Sequence, residues 1–381
     1  MPRLLVAASL LALLAGCSTF DALNPFASSS GPKMADLQPI EASSADARVL
    51  WAEEIGKSED YTLLPAVVGS TVYVAARDGT IARLDDGQPA WRINAGQPLS
   101  GGVGADGRLL VVGTAKGDVL AFSTVDGSEL WKAKASSEVV APPTVSANLV
   151  VVRSVDHRLA AYAPLDGKRK WIYQRPSTPL SLRVTAAPLI IERYVFAGFP
   201  GGKLIAVSTD NGAPLWEGTV ALPKGATELD RVADVTSVPV IDGRMICAVA
   251  FQGRVSCFDL GNGNLIWSRD ISSAAGLSID SRHVYVADDK GAVHALDKAS
   301  GASLWKQDKL FLRRLTAPQP LRNWVVVADV QGVVHFLSRD DGSFVARLPT
   351  DGSAVRAPLQ RLGNHLVVQT TNGRVLAIDA Q

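Results

Sequence analysis

From Gly253 to Trp267 the chain runs through a glycine, an alternating apolar stretch, a polar turn with its own glycine, and a second strand-like stretch ending in tryptophan. The same order of features recurs at Gly79 to Trp91, Gly117 to Trp131, Gly202 to Trp216 and Gly291 to Trp305. A fainter copy has His157 in the first glycine's place and ends at Trp171, and another runs from Gly332 to Ala346 without its tryptophan. Units this small cannot bury an apolar face alone, so a chain built from them must stack each on its neighbours.

An eighth copy decides how the stack ends. It begins at Gly373, but the sequence stops at Gln381 before any tryptophan strand, while an unmatched strand, Val49-Leu50-Trp51, stands near the other end. A radial array that borrows its last strand from its first residues closes into a ring, and closure protects sheet edges that an open array leaves unpaired. Tryptophans at Trp51, Trp91, Trp131, Trp171, Trp216, Trp267 and Trp305 recur about every 40 residues, with two longer gaps, which suits four short strands per unit. The expected fold is all-β, an eight-bladed β-propeller closed by pairing the N-terminal strand with the C-terminal blade.

Within each blade the strands can be assigned. Pro65, Pro143, Pro188, Pro239, Pro318 and Pro358 stand at a nearly constant offset ahead of the repeat glycine or of His157 and mark the innermost strand, whose start tolerates a residue without an N–H. Next comes a β-branched run, such as Leu149 to Val152 or Trp324 to Val327, whose continuous apolarity fits a strand sandwiched between blades. Turns such as Arg77-Asp78-Gly79 and Phe251-Gln252-Gly253 then need a left-handed last residue, which glycine supplies. The outermost strand carries the tryptophan, whose area suits packing between blades rather than a cofactor box.

Residues 1–16 carry one arginine, an apolar run from Leu4 to Ala15 and the ending Leu14-Ala15-Gly16-Cys17. The run is too short to span a bilayer and reads as an export signal. Its ending resembles the lipobox of bacterial lipoproteins, which implies that Cys17 is acylated; at about 0.8 kcal/mol per buried methylene, several chains make a stable anchor. Ser18 stands where inner-membrane retention in that class usually shows Asp, so the outer membrane is favoured. Residues 17–46 shift to Ser, Pro, Ala and Gly without apolar period and read as a tether of roughly 30 Å reach. Residues 47–381 form the propeller, a single unit because a closed array has no internal boundary.

Charge excludes one class of partner. Thirty-eight basic against thirty-seven acidic residues, with no basic run, give no field that would hold nucleic acid. The two long gaps are more informative. They fall between Trp171 and Pro188 and between Trp216 and Pro239, both outer-to-inner connections of successive blades. Chain direction alternates within a blade, so both inserts emerge on one face as neighbours, where binding is often placed on a rigid scaffold. The first contains Leu180-Ser181-Leu182-Arg183, the second Glu228-Leu229-Asp230-Arg231 and Asp234. Exposed leucines flanked by Arg and Asp suit protein docking. The alternative is that the leucines pack down on the blade and the charges pair locally.

Together the lipobox, the tether, the eight blades with a seam closed by an N-terminal strand, and these two loop motifs resemble the BamB family, propeller lipoproteins of the outer-membrane β-barrel assembly (BAM) machinery. The likeness covers the whole chain; the loop motifs are more specific than the propeller repeat. It implies a non-catalytic scaffold on the periplasmic side of the outer membrane, with no cofactor, in which Leu180, Leu182, Arg183 and Asp234, with Asp230 and Arg231 beside them, meet the POTRA domains of BamA and other BAM lipoproteins are reached indirectly. Thr236 stands where some relatives carry another acid, which lowers the charge of that patch.

The rival is an enzyme, because the tryptophan repeat also resembles pyrroloquinoline-quinone dehydrogenases. Those are much longer, with large inserted loops, a calcium site and often an adjacent cysteine pair, none of which is found here. Asp126, Asp166, Asp210 and Asp341 sit where turn chemistry favours Asp without a metal. His157, His283, His294, His335 and His365 show no ligand spacing. A glycan-binding propeller would want aromatic residues in the inserts, which have none. Finally, pairing Ala250 with Arg254 across their turn sets Cys247 opposite Cys257; an oxidising compartment could join them, and two buried thiols are the other outcome.

Overall fold

The computed structural model describes residues 32–40, 45–176 and 180–381. The chain divides into two units, Met1–Met34, of which only residues 32–34 are described, and Ala35–Gln381. Cys17 and the export-signal region lie outside the described residues. In the second unit the strands form eight four-stranded sheets, and in seven of these blades the strands run in chain order from inner to outer edge. Blades 1 to 7 span residues 66–94, 104–134, 144–173, 189–219, 240–269, 276–307 and 319–349. Blade 8 takes three strands from residues 360–380 and its fourth from Ala47–Glu54, so the expected eight-bladed propeller with an N-terminal closing strand is the fold observed.

Burial follows the strand assignment. The second strands Leu109–Gly113, Tyr194–Phe199 and His283–Ala287 are buried at every residue, as their unbroken apolarity demands when a blade lies on each face. The outer strand Glu129–Lys134 is buried only at Trp131. The cores therefore lie between blades: Val151, Ala161 and Trp171 of blade 3 pack with Val195 and Ile205 of blade 4, and Val72 and Val74 of blade 1 pack with Val367 and Val375 of blade 8.

Each repeat tryptophan is also a joint. The Trp131, Trp171, Trp216, Trp267 and Trp305 indole N–H groups donate to carbonyl oxygens of Pro164, Thr209, Leu260, Lys298 and Arg339, in the turn before the next blade's outer strand. The ring lies on that turn's glycine: a Cβ on Gly167, Gly212 or Gly263 would fall 2.6 Å from an indole carbon of the preceding blade. The turn glycine and the tryptophan of the repeat are thus two halves of one contact. Trp51 extends the device to the seam by covering Gly87 of blade 1, while Ala47–Glu54 pairs antiparallel with Arg374–Ala380 through a bulge between Val49 and Trp51.

Two details depart from expectation. In blade 5 the left-handed residue of the turn is Gln252 (φ 48°), not Gly253, because a Cβ at Gly253 would crowd Ala221 and Ala250 at 2.7 Å, so glycine is needed there for space. And part of the stretch whose composition reads as a tether is docked. Ala35 N–H donates to Phe311 O (2.9 Å), Arg313 Nη1 donates to Ala35 O (3.0 Å), Arg347 donates to Gln38 O, and Leu37 packs on the core between blades 6 and 7.

Candidate docking site on the loop face

The two inserts occupy residues 174–188, between blades 3 and 4, and residues 220–239, between blades 4 and 5; residues 177–179 of the first are not described. They meet at one side chain. Asp234, from the second insert, is 1% exposed, and its carboxylate accepts from Leu182 N–H of the first (2.7 Å) and from Gly201 N–H in the blade 4 turn (3.2 Å). The Asp234 backbone joins in, its carbonyl accepting from Phe251 N–H at 2.9 Å in the blade 5 turn. A carboxylate can take several N–H donors at once without a proton of its own, so the side chain ties the two loops to blade 4 while the main-chain carbonyl adds blade 5.

Beneath this junction the site is cationic. Arg153 is buried with its guanidinium over the Phe199 ring (5.3 Å), and burial lowers its pKa to about 10 against the opposing charge of Asp234. His157 is buried beside it; burial first, then the Arg153 charge, pushes its pKa below the usual imidazole value, with Asp234 and Asp156 pulling the other way. The neutral ring meets Ser181 of the first insert, Nε2 to Oγ at 2.8 Å.

The outer layer carries the remaining residues. Leu180 is 45% exposed and Leu182 half-buried. Arg183 is exposed but held, pairing with Glu138 and lying over the Tyr61 ring (5.1 Å), which also faces Arg77 (4.2 Å). In the second insert Leu222 and Leu229 are 64% and 66% exposed. Asp230 accepts from Thr227 N–H (3.1 Å) while its own N–H donates to Thr227 Oγ1 (3.1 Å); the Thr227 hydroxyl first, then the Thr227 N–H, holds its carboxyl below the usual carboxylate range. Arg231 turns to Glu228 (3.3 Å) and Gly225 O (3.1 Å) rather than to Asp230. The structure thus brings Leu182 and Asp234 into contact and leaves leucines outside, but it buries Asp234 away from solvent.

Sequence reasoning missed Arg153, His157 as a loop contact, Glu138, Tyr61 and Gln252. Only His157 carried a signal, since an imidazole in a slot that elsewhere holds glycine asks for a reason. On the ring axis lies a funnel of about 580 Å³, lined mainly by Thr, Ala, Pro and Leu, including Thr185, Thr236 and Thr316, with Arg356 and Arg361 as its charged groups. Among the described residues no cluster of three or more His, Cys, Asp or Glu could hold a metal. Cys247 and Cys257, paired across the second and third strands of blade 5, form a disulfide.

A family model described as outer membrane protein assembly factor BamB matches residues 77–307. The chain belongs to the BamB family. A relative of that name from Bordetella pertussis is 41% identical over 374 residues, covering 97% of this chain and 95% of its own. The crystal structure of BamB from Moraxella catarrhalis superposes with a TM-score of 0.82 at 27% identity, covering 88% of this chain and all of that one. A quinohemoprotein alcohol dehydrogenase from Comamonas testosteroni reaches a TM-score of 0.70 at 13% identity, covering 87% of this chain and 76% of the enzyme's. That likeness is one of fold alone, and the family name goes with the assembly factors.

Proposed function

We propose that this protein is a non-catalytic scaffold of outer-membrane β-barrel assembly, and that it presents the paired inserts to the periplasmic POTRA domains of a BamA-type barrel subunit. The observation that carries this reading is the Asp234 junction, which turns two separate loops into one platform with Leu180 and Leu229 on its outer side. Apolar anchors on a rigid base bind with little ordering cost, and the surrounding charges set register. Arg183, Lys224 and Arg231 are exposed cations of the platform. Asp234 acts from below, holding Leu182, rather than touching the partner itself.

The reading includes the anchor. Residues 1–16 are a lipoprotein signal, Cys17 is acylated, and the propeller faces the periplasm from the outer membrane, reaching other BAM lipoproteins only through the barrel subunit. Replacing Cys17 with Ala should abolish palmitate incorporation and release the chain from membranes. Catalysis is not part of the reading. Among the described residues the funnel is lined by no carboxylate, imidazole or aromatic side chain, and the dehydrogenase likeness stops at the fold. The disulfide belongs to an oxidising compartment, so Cys247 and Cys257 should resist alkylation in denaturant until reductant is added.

The deciding experiment is a pull-down from detergent-solubilised envelope with wild type and Leu182→Ser/Arg183→Glu. Loss of one large barrel protein, with circular dichroism unchanged, is the expected result. Equal recovery with both baits would remove the platform from the interface. Quinone-dependent dye reduction by the purified protein would restore the enzyme as the better reading.

A further inference from the structure

Eight turns on this face join the second and third strands of the blades, and most take their left-handed residue as glycine: Gly79, Gly117, Gly202, Gly291, Gly332 and Gly373 all have positive φ. Two turns do otherwise. Blade 3 uses His157 (φ 62°) and blade 5 uses Gln252 (φ 48°), residue types for which this conformation is unfavourable. These are the blades on either side of blade 4, whose flanks carry the two inserts. Each of the two side chains reaches an insert. His157 Nε2 lies 2.8 Å from Ser181 Oγ in the first. The Gln252 amide faces three carbonyl oxygens of the second; with its nitrogen turned to them it donates to Val232 (3.0 Å), Asp230 (3.1 Å) and Leu229 (3.2 Å).

We propose that His157 and Gln252 are positioning residues: two latches, placed at strained turns, that hold the inserts in the form that docks. The strain has no use inside the blade, where glycine serves the other turns. It puts a long polar side chain within reach of an insert in each blade. Asp234 ties the inserts to each other, to blade 4 and, through its carbonyl, to blade 5; His157 ties the first to blade 3, and Gln252 adds a side-chain hold on the second from blade 5, so three successive turns share the platform. Side chains hold the loops, Gln252 through backbone carbonyls and His157 through the Ser181 hydroxyl, where the inserts have no regular ladder beyond the single Val235–Ala250 bridge. Pre-ordering of this kind raises affinity without adding a contact to the partner.

The inference rests on the docking reading for its purpose but not for its geometry, and the test separates the two. The variants are His157→Gly and Gln252→Gly, each giving its turn the residue that relieves the left-handed strain, and Gln252→Glu, which keeps size but aims a carboxylate at three carbonyl oxygens. Amide hydrogen exchange and thermal midpoint are read on the full chain in detergent, then binding to purified POTRA domains of the barrel subunit. Loss of one ordinary hydrogen bond predicts exchange faster by roughly fivefold in residues 180–186 for His157→Gly, and loss of the Gln252 amide's bonds predicts at least that in residues 226–234 for both Gln252 variants. The midpoint of the glycine variants should be unchanged or higher, and POTRA binding should weaken by a similar factor. Exchange that stays at the wild-type rate, or that rises in every blade with a falling midpoint, overturns the latches. Loosened inserts with undiminished binding would leave the latches standing and remove the inserts from the interface.

Discussion

Asp234 shows how a residue can organise the two inserts without being on the surface. Its carboxylate serves two backbone N–H groups and balances a buried arginine, so Asp234→Asn should hurt twice. The amide keeps one acceptor oxygen but turns an N–H₂ toward Leu182 or Gly201, and Arg153 loses its neighbouring charge. A buried donor left unmet costs about 1–3 kcal/mol, so the unfolding free energy should fall by about that much, read as a lower urea midpoint, with residues 180–186 exchanging faster than the blades. Equal protection of loop and wild type would mean the junction adds nothing. His157 belongs to the same nucleus and gives it a pH dependence. Folding lowers its pKa, so the unfolded chain binds the proton more readily. Stability is therefore complete above the unfolded value of about 6.5 and declines as pH falls from there toward the lower folded value. His335, buried against Asp329, shifts the same way, so the informative quantity is a difference. Between pH 7 and pH 5, His157→Gly should lose less stability than wild type; identical slopes would clear His157 of the effect.

At the scale of elements, the repeat is legible because its parts are required by contacts between blades. The outer-strand tryptophan was readable as packing. What was not readable is that its indole lands on the turn glycine of the following blade, since sequence spacing relates residues along one unit and not across two. The contact is testable at Gly263. A Cβ there would meet the Trp216 ring at 2.6 Å and also sit at φ 73°. Gly263→Ala should cost about 1–3 kcal/mol through clash and backbone strain, read as a lower urea midpoint with blue-shifted or quenched Trp216 emission altered in parallel. Gly243 makes a control, because it has a similar positive φ but open space around its would-be Cβ; if Gly243→Ala costs as much, the tryptophan contact is irrelevant. The same limit explains Gln252. Either residue of the Gln252-Gly253 pair satisfies a rule that asks for one left-handed position, and only the crowding by Ala221 and Ala250 decides which.

Over the whole molecule, the closing strand and the adjacency of the inserts followed from counting alone, because a ring with alternating strand direction leaves few placements. The docking of residues 35–38 did not. Four residues held by backbone carbonyls and one leucine carry no periodicity, and the arginines that receive them, Arg313 and Arg347, lie far away in the sequence. Arg313 is itself fixed, 1% exposed and bonded to Asp329 (2.6 Å) and Gln331 (2.6 Å), so its grip on Ala35 comes from a rigid base. The chain thus meets blades 6 and 7 before it enters the seam as Ala47–Glu54 in blade 8, and a segment pinned at its start is harder to peel away. Leu37→Ser tests this without disturbing the buried Arg313–Asp329 pair. Serine gives up most of the apolar contact, on the order of 1–2 kcal/mol for a half-buried leucine, against which three hydrogen bonds to the segment must hold. The expected result is faster limited proteolysis within residues 35–46 and faster amide exchange in the closing strand, with the seven internal blades unaffected. A closing strand as protected as in wild type, despite cleavage ahead of it, would show that pairing with Arg374–Ala380 and the Trp51 contact on Gly87 close the ring by themselves.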